Sequence, residues 1–244
     1  MRSGSTDNAR SIPASTPAQT RIYAIGDIHG RADLLAETTA RIDDDLRRRP
    51  VPQAVEVYLG DYIDRGPDSK DVIDQLAVRL VRRDAVCLRG NHETFLEAFL
   101  QDPAAIHHWI ELGAPPTLAS YGVSLQAGAT TAFDLQQALI HAFPRTHALF
   151  LQCLRDSFRC GDFLFVHAGI RPGVPLSQQS SDDLCWIRDE FLDSTADHGV
   201  MVVHGHTPVM HPEIRANRIN IDTGAWRSGV LTCIALEGRN VMVL

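Results

Sequence analysis

From residue 21 onward, short apolar runs alternate with stretches whose apolar positions recur three and four residues apart. Residues 21–25 read as a buried strand that closes on Gly26-Asp27. Residues 32–49 follow, with Leu34, Leu35, Ile42 and Leu46 at near-helical spacing. That stretch ends in Arg47-Arg48-Arg49 and Pro50, cations at the negative end of a helix dipole and then a helix stop. Residues 54–59 and 85–88 read as further strands and 69–82 as a second helix. Strands alternating with helices predict βαβ units and a largely parallel first sheet. Residues 94–159 read as mainly helical, with breaks at Pro103, 113–116 and 122–128, and show no chemistry of their own. Residues 163–166 and 200–203 are strands again. Residues 218–221, 230–236 and 241–244 read as antiparallel strands joined by tight turns, so a second sheet packs on the first.

The polar residues fall at one place in this pattern. The first three strands end in Gly26-Asp27, Gly60-Asp61 and Gly90-Asn91, and the later two run into His167-Ala168-Gly169 and His204-Gly205-His206. Asp27, Asp61 and Asn91 are separated by about one βαβ unit each, so their side chains converge at the carboxyl edge of one sheet, where open α/β sheets place ligands. A single Asp after a strand reads as a turn or helix cap. Asp27, His29, Asp61, Asn91, His167 and His206, each beside glycine or an apolar run, instead form a mixed oxygen and nitrogen donor set suited to divalent cations.

Composition narrows the class. The chain has 244 residues, 44% hydrophobic and 22% charged, enough for one large α/β domain. A formal charge of −7 argues against nucleic acid as a partner. Five cysteines without a CxxC pair suggest reduced thiols and a cytoplasmic protein. No apolar run reaches the length of a membrane span. Residues 1–20, rich in Ser, Thr, Pro and Ala, read as a disordered tail before a single domain at 21–244.

Taken in order, Gly26-Asp27-Ile28-His29-Gly30, Gly60-Asp61-Tyr62-Ile63-Asp64-Arg65-Gly66, Arg89-Gly90-Asn91-His92-Glu93, His167-Ala168-Gly169 and Gly205-His206-Thr207 resemble the signature of the phosphoprotein phosphatase family. That family lies within the calcineurin-like metallophosphoesterase superfamily. Residues 117–122, Trp186-Ile187-Arg188 and 221–224 resemble its bacterial members. The resemblance implies a four-layer α/β/β/α fold, two mixed sheets flanked by helices. It also implies two divalent metal ions, Mn²⁺ by the bacterial likeness, with Fe and Zn²⁺ compatible with the same donors. Asp27, His29 and Asp61 would hold the first; Asp61, as the bridge, with Asn91, His167 and His206 would hold the second.

The resemblance further implies that a hydroxide shared by the metals attacks phosphorus. Arg65 and Arg188 would grip the phosphoryl oxygens. His92 would protonate the departing group, with Asp64 orienting its imidazole. His204 is expected to be structural, and Arg89 either faces the site or forms a salt bridge beneath the loop. The expected activity is a serine/threonine or dual-specificity protein phosphatase acting on a phosphorylated protein or small phosphoester. The alternative is a symmetrical diadenosine tetraphosphate hydrolase, against which Glu93 and the Asp64-Arg65 pair both lean. The absence of histidine at Pro208 favours the phosphoprotein phosphatase branch over Gly-His-x-His esterases.

Overall fold

The computed structural model describes residues 10–124 and 131–244. The strands are β1 (Arg10–Ser11), β2 (Thr20–Ile25), β3 (Gln53–Tyr58), β4 (Ala85–Cys87), β5 (Ser157–Cys160), β6 (Phe163–Val166), β7 (Met201–His204), β8 (Glu213–Ile214), β9 (Arg218–Asn220), β10 (Cys233–Glu237) and β11 (Asn240–Val243). The helices are α1 (Ala32–Arg48), α2 (Ser69–Arg82), α3 (Asn91–Gln101), α4 (Ile106–Leu112), α5 (Ala114–Ser120), α6 (Ala132–Ala142), α7 (Arg145–Cys153), α8 (Ser181–Trp186), α9 (Asp189–Leu192) and α10 (Ala225–Ser228).

One sheet has the order β1-β11-β10-β2-β3-β4 and the other β5-β6-β7-β9-β8. In the first, only β2, β3 and β4 are parallel. The hairpin β10–β11 and β1 extend it antiparallel. Period-two alternation explains the layering. Ile22, Ala24, Val55 and Val57 point toward the second sheet and meet Phe163, Phe165, Met201 and Val203. Tyr23, Ile25 and Tyr58 point the other way, into a core shared with α1 and α2. Leu164, Val166 and Val202 pack outward against Leu184, Ile187 and Phe191 around α8 and α9. The fold is therefore two mixed sheets flanked by helices, as the sequence suggested.

Three local expectations change. Residues 10–20, expected as tail, are ordered. Ile12 and Ala14 enter the core between the sheets, and the Ile12 amide donates to the Arg239 carbonyl at 2.9 Å. Composition hides this because two alternating apolar side chains and a few backbone hydrogen bonds suffice to cover a sheet edge. The rest of the expected tail, 1–9, and part of the expected break at 122–128 lie outside the described residues. Second, residues 157–160 are not helical but form β5, an edge strand antiparallel to β6. Third, β9 does not join the C-terminal hairpin: it runs parallel to β7 in the second sheet. Among the described residues no helix is long and apolar enough to cross a membrane.

Candidate metal centre

The strand-end loops deliver their polar side chains by bending sharply. His29, Asp61, Asp64, Arg65 and His206 all have positive φ, between 47° and 72°. Such backbone is strained in residues with a Cβ, and its concentration in residues singled out for chemistry marks a site the surrounding fold holds in place. Two glycines make room. A Cβ on Gly90 would sit 2.2 Å from Asp61 Oδ1, and one on Gly205 would sit 2.0 Å from Asp27 Oδ1.

Asp61 is central and faces two groups of nitrogen donors. Its Oδ2 lies 3.5 Å from His29 Nε2 and 3.8 Å from His92 Nε2. Its Oδ1 lies 3.4 Å from His167 Nε2. On that second side His167 Nε2, Asn91 Oδ1 and His206 Nδ1 stand 2.9 to 3.2 Å apart. The tautomers decide what these contacts mean. His29 Nδ1 donates to the Ile63 carbonyl and His167 Nδ1 to the Leu59 carbonyl, each at 2.9 Å. Both Nε2 atoms therefore carry lone pairs. The lone pair of His167 faces a carboxylate oxygen and an amide oxygen, an arrangement of acceptors that a cation would stabilise. Separations near 3 Å are those expected between neighbouring ligands about 2.1 Å from one ion.

The charge pattern points the same way. Burial, with Asp222 and Asp61 nearby, pushes Asp27 well above the usual carboxylate range. Its Oδ1 is buried without a hydrogen-bond partner, while Oδ2 accepts the His206 amide at 3.0 Å. Burial also raises Asp61, but the imidazoles of His167, His92, His29 and His206 outweigh it and hold Asp61 ionised. Burial lowers His29 to about 3 and His206 to about 2, and lowers His167 as well. Neutral imidazoles around an ionised carboxylate fit a divalent metal pair. Asp27 stands outside the tightest clusters, which are His29, Asp61, His92 and Asp61, His167, His206.

The remaining residues of interest fall around this cage. Arg65 Nη1 donates to His29 Nε2 at 2.9 Å and Nη2 to His92 Nε2 at 3.1 Å. Its guanidinium also lies 5.6 Å from the ring centre of Trp226. Arg188 is exposed, hydrogen-bonds Thr207 Oγ1 at 3.3 Å and adds positive field at His206 and His167. His92 Nδ1 donates to Asp64 Oδ2 at 2.7 Å. Burial lowers the His92 pKa, yet Asp61 and Asp64 outweigh it and raise the group overall. Arg89 takes the structural role, paired with Glu97 and Asp156. His204 is buried against Phe191 and joins neither cluster.

Sequence reading missed three kinds of support. Glu93, weighed in the sequence only as a hint about substrate, accepts the amides of Asp61, Tyr62 and Gly90 at 2.9, 2.8 and 3.0 Å. That ties the Asp61 loop to the start of α3, whose first two residues are Asn91 and His92. Asp222 lies close enough to raise Asp27. The helical segment, expected to carry no chemistry, supplies Trp109 and Thr117, which both bond Asp64. Its readable signal was slight: a Trp and a Thr on either side of Gly113.

The model of the calcineurin-like phosphoesterase family matches residues 20–223. An asymmetrical bis(5'-nucleosyl)-tetraphosphatase PrpE of Anoxybacillus flavithermus is 27% identical over 229 residues, covering 86% of this chain and 88% of that one. A crystal structure of a protein proposed to be a diadenosine tetraphosphatase aligns at TM-score 0.63 and 19% identity, covering 95% of this chain and 97% of that one. A cold-active protein tyrosine phosphatase aligns at TM-score 0.59 and 16% identity, covering 91% and 77%. At these identities the two structures share the fold alone.

Proposed function

Since the chain belongs to the calcineurin-like phosphoesterase family and is a hydrolase of phosphoester bonds, we propose that it acts on phosphate monoesters, foremost phosphoserine or phosphothreonine in proteins. Asp27, His29 and Asp61 would hold one divalent ion, and Asp61, Asn91, His167 and His206 a second, with Mn²⁺ as the favoured metal. Such a pair, when bound, supplies Lewis-acid stabilisation of phosphoryl charge and a water acidified for attack. The protein's own groups do the rest. Arg65, reaching between His29 and His92, presents a planar fork to two phosphoryl oxygens. Arg188 adds positive charge near His206 and His167.

The observation that carries this reading is the His92–Asp64 pair. His92 Nδ1 is committed to Asp64, so Nε2, on the side of Asp61 and Arg65, is the nitrogen that, once protonated, can hand a proton to a departing oxygen. A general acid is most needed when the leaving group is an alkoxide, as from serine or threonine.

A second reading has specific support. The relative from Anoxybacillus flavithermus, matched along most of both chains, carries an asymmetrical tetraphosphatase name. Two partly exposed tryptophans, Trp186 near His206 and Trp226 beside Arg65, suit a nucleobase. Under this reading cleavage is asymmetrical, in place of the symmetrical cut expected from sequence. A side-by-side assay with Mn²⁺ decides. A higher kcat/KM on a phosphoserine peptide supports the first reading, whereas ATP and AMP released efficiently from diadenosine tetraphosphate support the second. No turnover of either, nor of p-nitrophenyl phosphate, overturns both.

A further inference from the structure

Asp64 sits fully buried at the back of the site, and both of its carboxylate oxygens accept side-chain hydrogen bonds. Oδ2 accepts from His92 Nδ1 at 2.7 Å and from the indole Nε1 of Trp109 at 2.8 Å. Oδ1 accepts from Thr117 Oγ1 at 2.6 Å. Trp109 and Thr117 lie in α4 and α5, on either side of Gly113, and both are fully buried.

We propose that Trp109 and Thr117 are positioning residues for the acid pair: they lock the Asp64 carboxylate so that the proton it shares with His92 stays on Nδ1 and leaves Nε2 turned to the reacting groups. The inference rests on the reading of His92 as general acid. The donor inventory supports it. An indole N–H can only donate, so an oxygen facing it must be an acceptor. Trp109 therefore disfavours a proton on Oδ2, where two donors meet one oxygen, and favours His92 as the donor in their hydrogen bond. Thr117 prevents the carboxylate from turning. Its hydroxyl also accepts the Asp64 amide at 2.8 Å and meets Ser69 Oγ at 3.0 Å, so its hydrogen is directed to Oδ1.

The same corner seats the phosphate-gripping residue, because the Gly113 carbonyl accepts the Arg65 amide at 3.1 Å. The α4–Gly113–α5 corner thus fixes both the acid pair and Arg65. A purely packing role for Trp109 would require only an apolar ring. It would not place the single polar atom of that ring on the oxygen that His92 uses.

The test compares p-nitrophenyl phosphate with phenyl phosphate, which differ in how much the departing oxygen needs a proton. Trp109→Phe keeps a ring and removes the donor; Thr117→Val keeps the shape and removes the hydroxyl. Each variant and His92→Asn are assayed with Mn²⁺ on both substrates, and the ratio of kcat values is taken within one preparation, so an unfolded fraction cancels. For Trp109→Phe we expect kcat on phenyl phosphate to fall about 10–100-fold, the range for loss of an outer-shell partner. The fall on p-nitrophenyl phosphate should be several times smaller, with KM little changed. Thr117→Val should move in the same direction. If Trp109→Phe and Thr117→Val leave the ratio unchanged while His92→Asn shifts it, the positioning role is overturned and the acid assignment survives. If His92→Asn itself leaves the ratio unchanged, the acid assignment fails and takes this inference with it.

Discussion

The strand-end loops and the helical segment both reach the site, but they do so in different ways. The segments after β2, β3, β4, β6 and β7 present donor atoms directly, and a metal cage of the kind proposed accepts few residue types there. Helices α4 and α5 and the Gly113 turn between them offer only hydrogen bonds to Asp64 and Arg65, which several residue types could supply. Ligand positions are therefore constrained in both chemistry and place, whereas supporting positions are constrained mainly in place. The first leave a mark in sequence and the second hardly do.

The largest effect should come from breaking the cage at its shared member. Asp61→Asn should lose at least one metal equivalent, measured by elemental analysis. Its turnover should fall by about 10³-fold or more, the several kcal/mol of metal stabilisation expressed at 1.36 kcal/mol per factor of ten. Two fully retained metals in that variant would mean that Asp61 is not the bridge.

His92→Asn sharpens the contrast between holding metal and moving a proton. It should retain the metal content of the native protein and slow turnover of an alkyl phosphate by about 10²–10⁴-fold. Loss of metal would show that His92, which lies within the His29–Asp61 cluster, is a ligand instead.

Glu93→Gln probes support from inside the strand-end region. Glu93 ties the Asp61, Tyr62 and Gly90 amides together, so weakening its grip should reduce metal affinity by about 10–100-fold, as removal of outer-shell partners does. Isothermal titration with Mn²⁺ gives the affinity directly, and an unchanged value would make Glu93 a helix cap only.

The smallest effect on catalysis should come from the far side of the first sheet. There Asp45 binds Arg21, Arg49 and the Tyr23 hydroxyl. Burial raises its carboxyl, but those three partners outweigh burial and hold it below the usual range. Its contribution to stability is therefore complete above the ordinary carboxylate pKa and is lost as pH falls through the lowered folded value. Asp45→Asn should lower the melting temperature near neutral pH, by less as the solution is acidified, while kcat of the folded protein stays the same. A fall in kcat would link this cluster to the site, against the present account.

The legibility of the chain follows the same division. Sheet and helix periods placed β2, β3, α1 and α2 within a residue or so, because long periodic segments are buried on one face and written that way. Asp27, Asp61 and Asn91 could be brought together from spacing, since parallel strands must end at one edge. His167 and His206 follow strands of the second sheet, and only the ordered motifs linked them to the first. β9 was misplaced because a three-residue strand carries no partner information in its own pattern. Residues 10–20 were misjudged because composition is averaged over a segment, whereas Ile12 and Ala14 act singly. Trp109 and Thr117 were missed because their part is a hydrogen bond to a residue about fifty positions away.

If six side chains gathered at the edges of two sheets hold a catalytic metal pair, activity must follow metal content. The most direct measurement is turnover of p-nitrophenyl phosphate by chelator-stripped protein as Mn²⁺ is returned. The stripped protein should show no turnover, with recovery that saturates at two equivalents per chain. Full turnover in protein verified to be free of metal would contradict it.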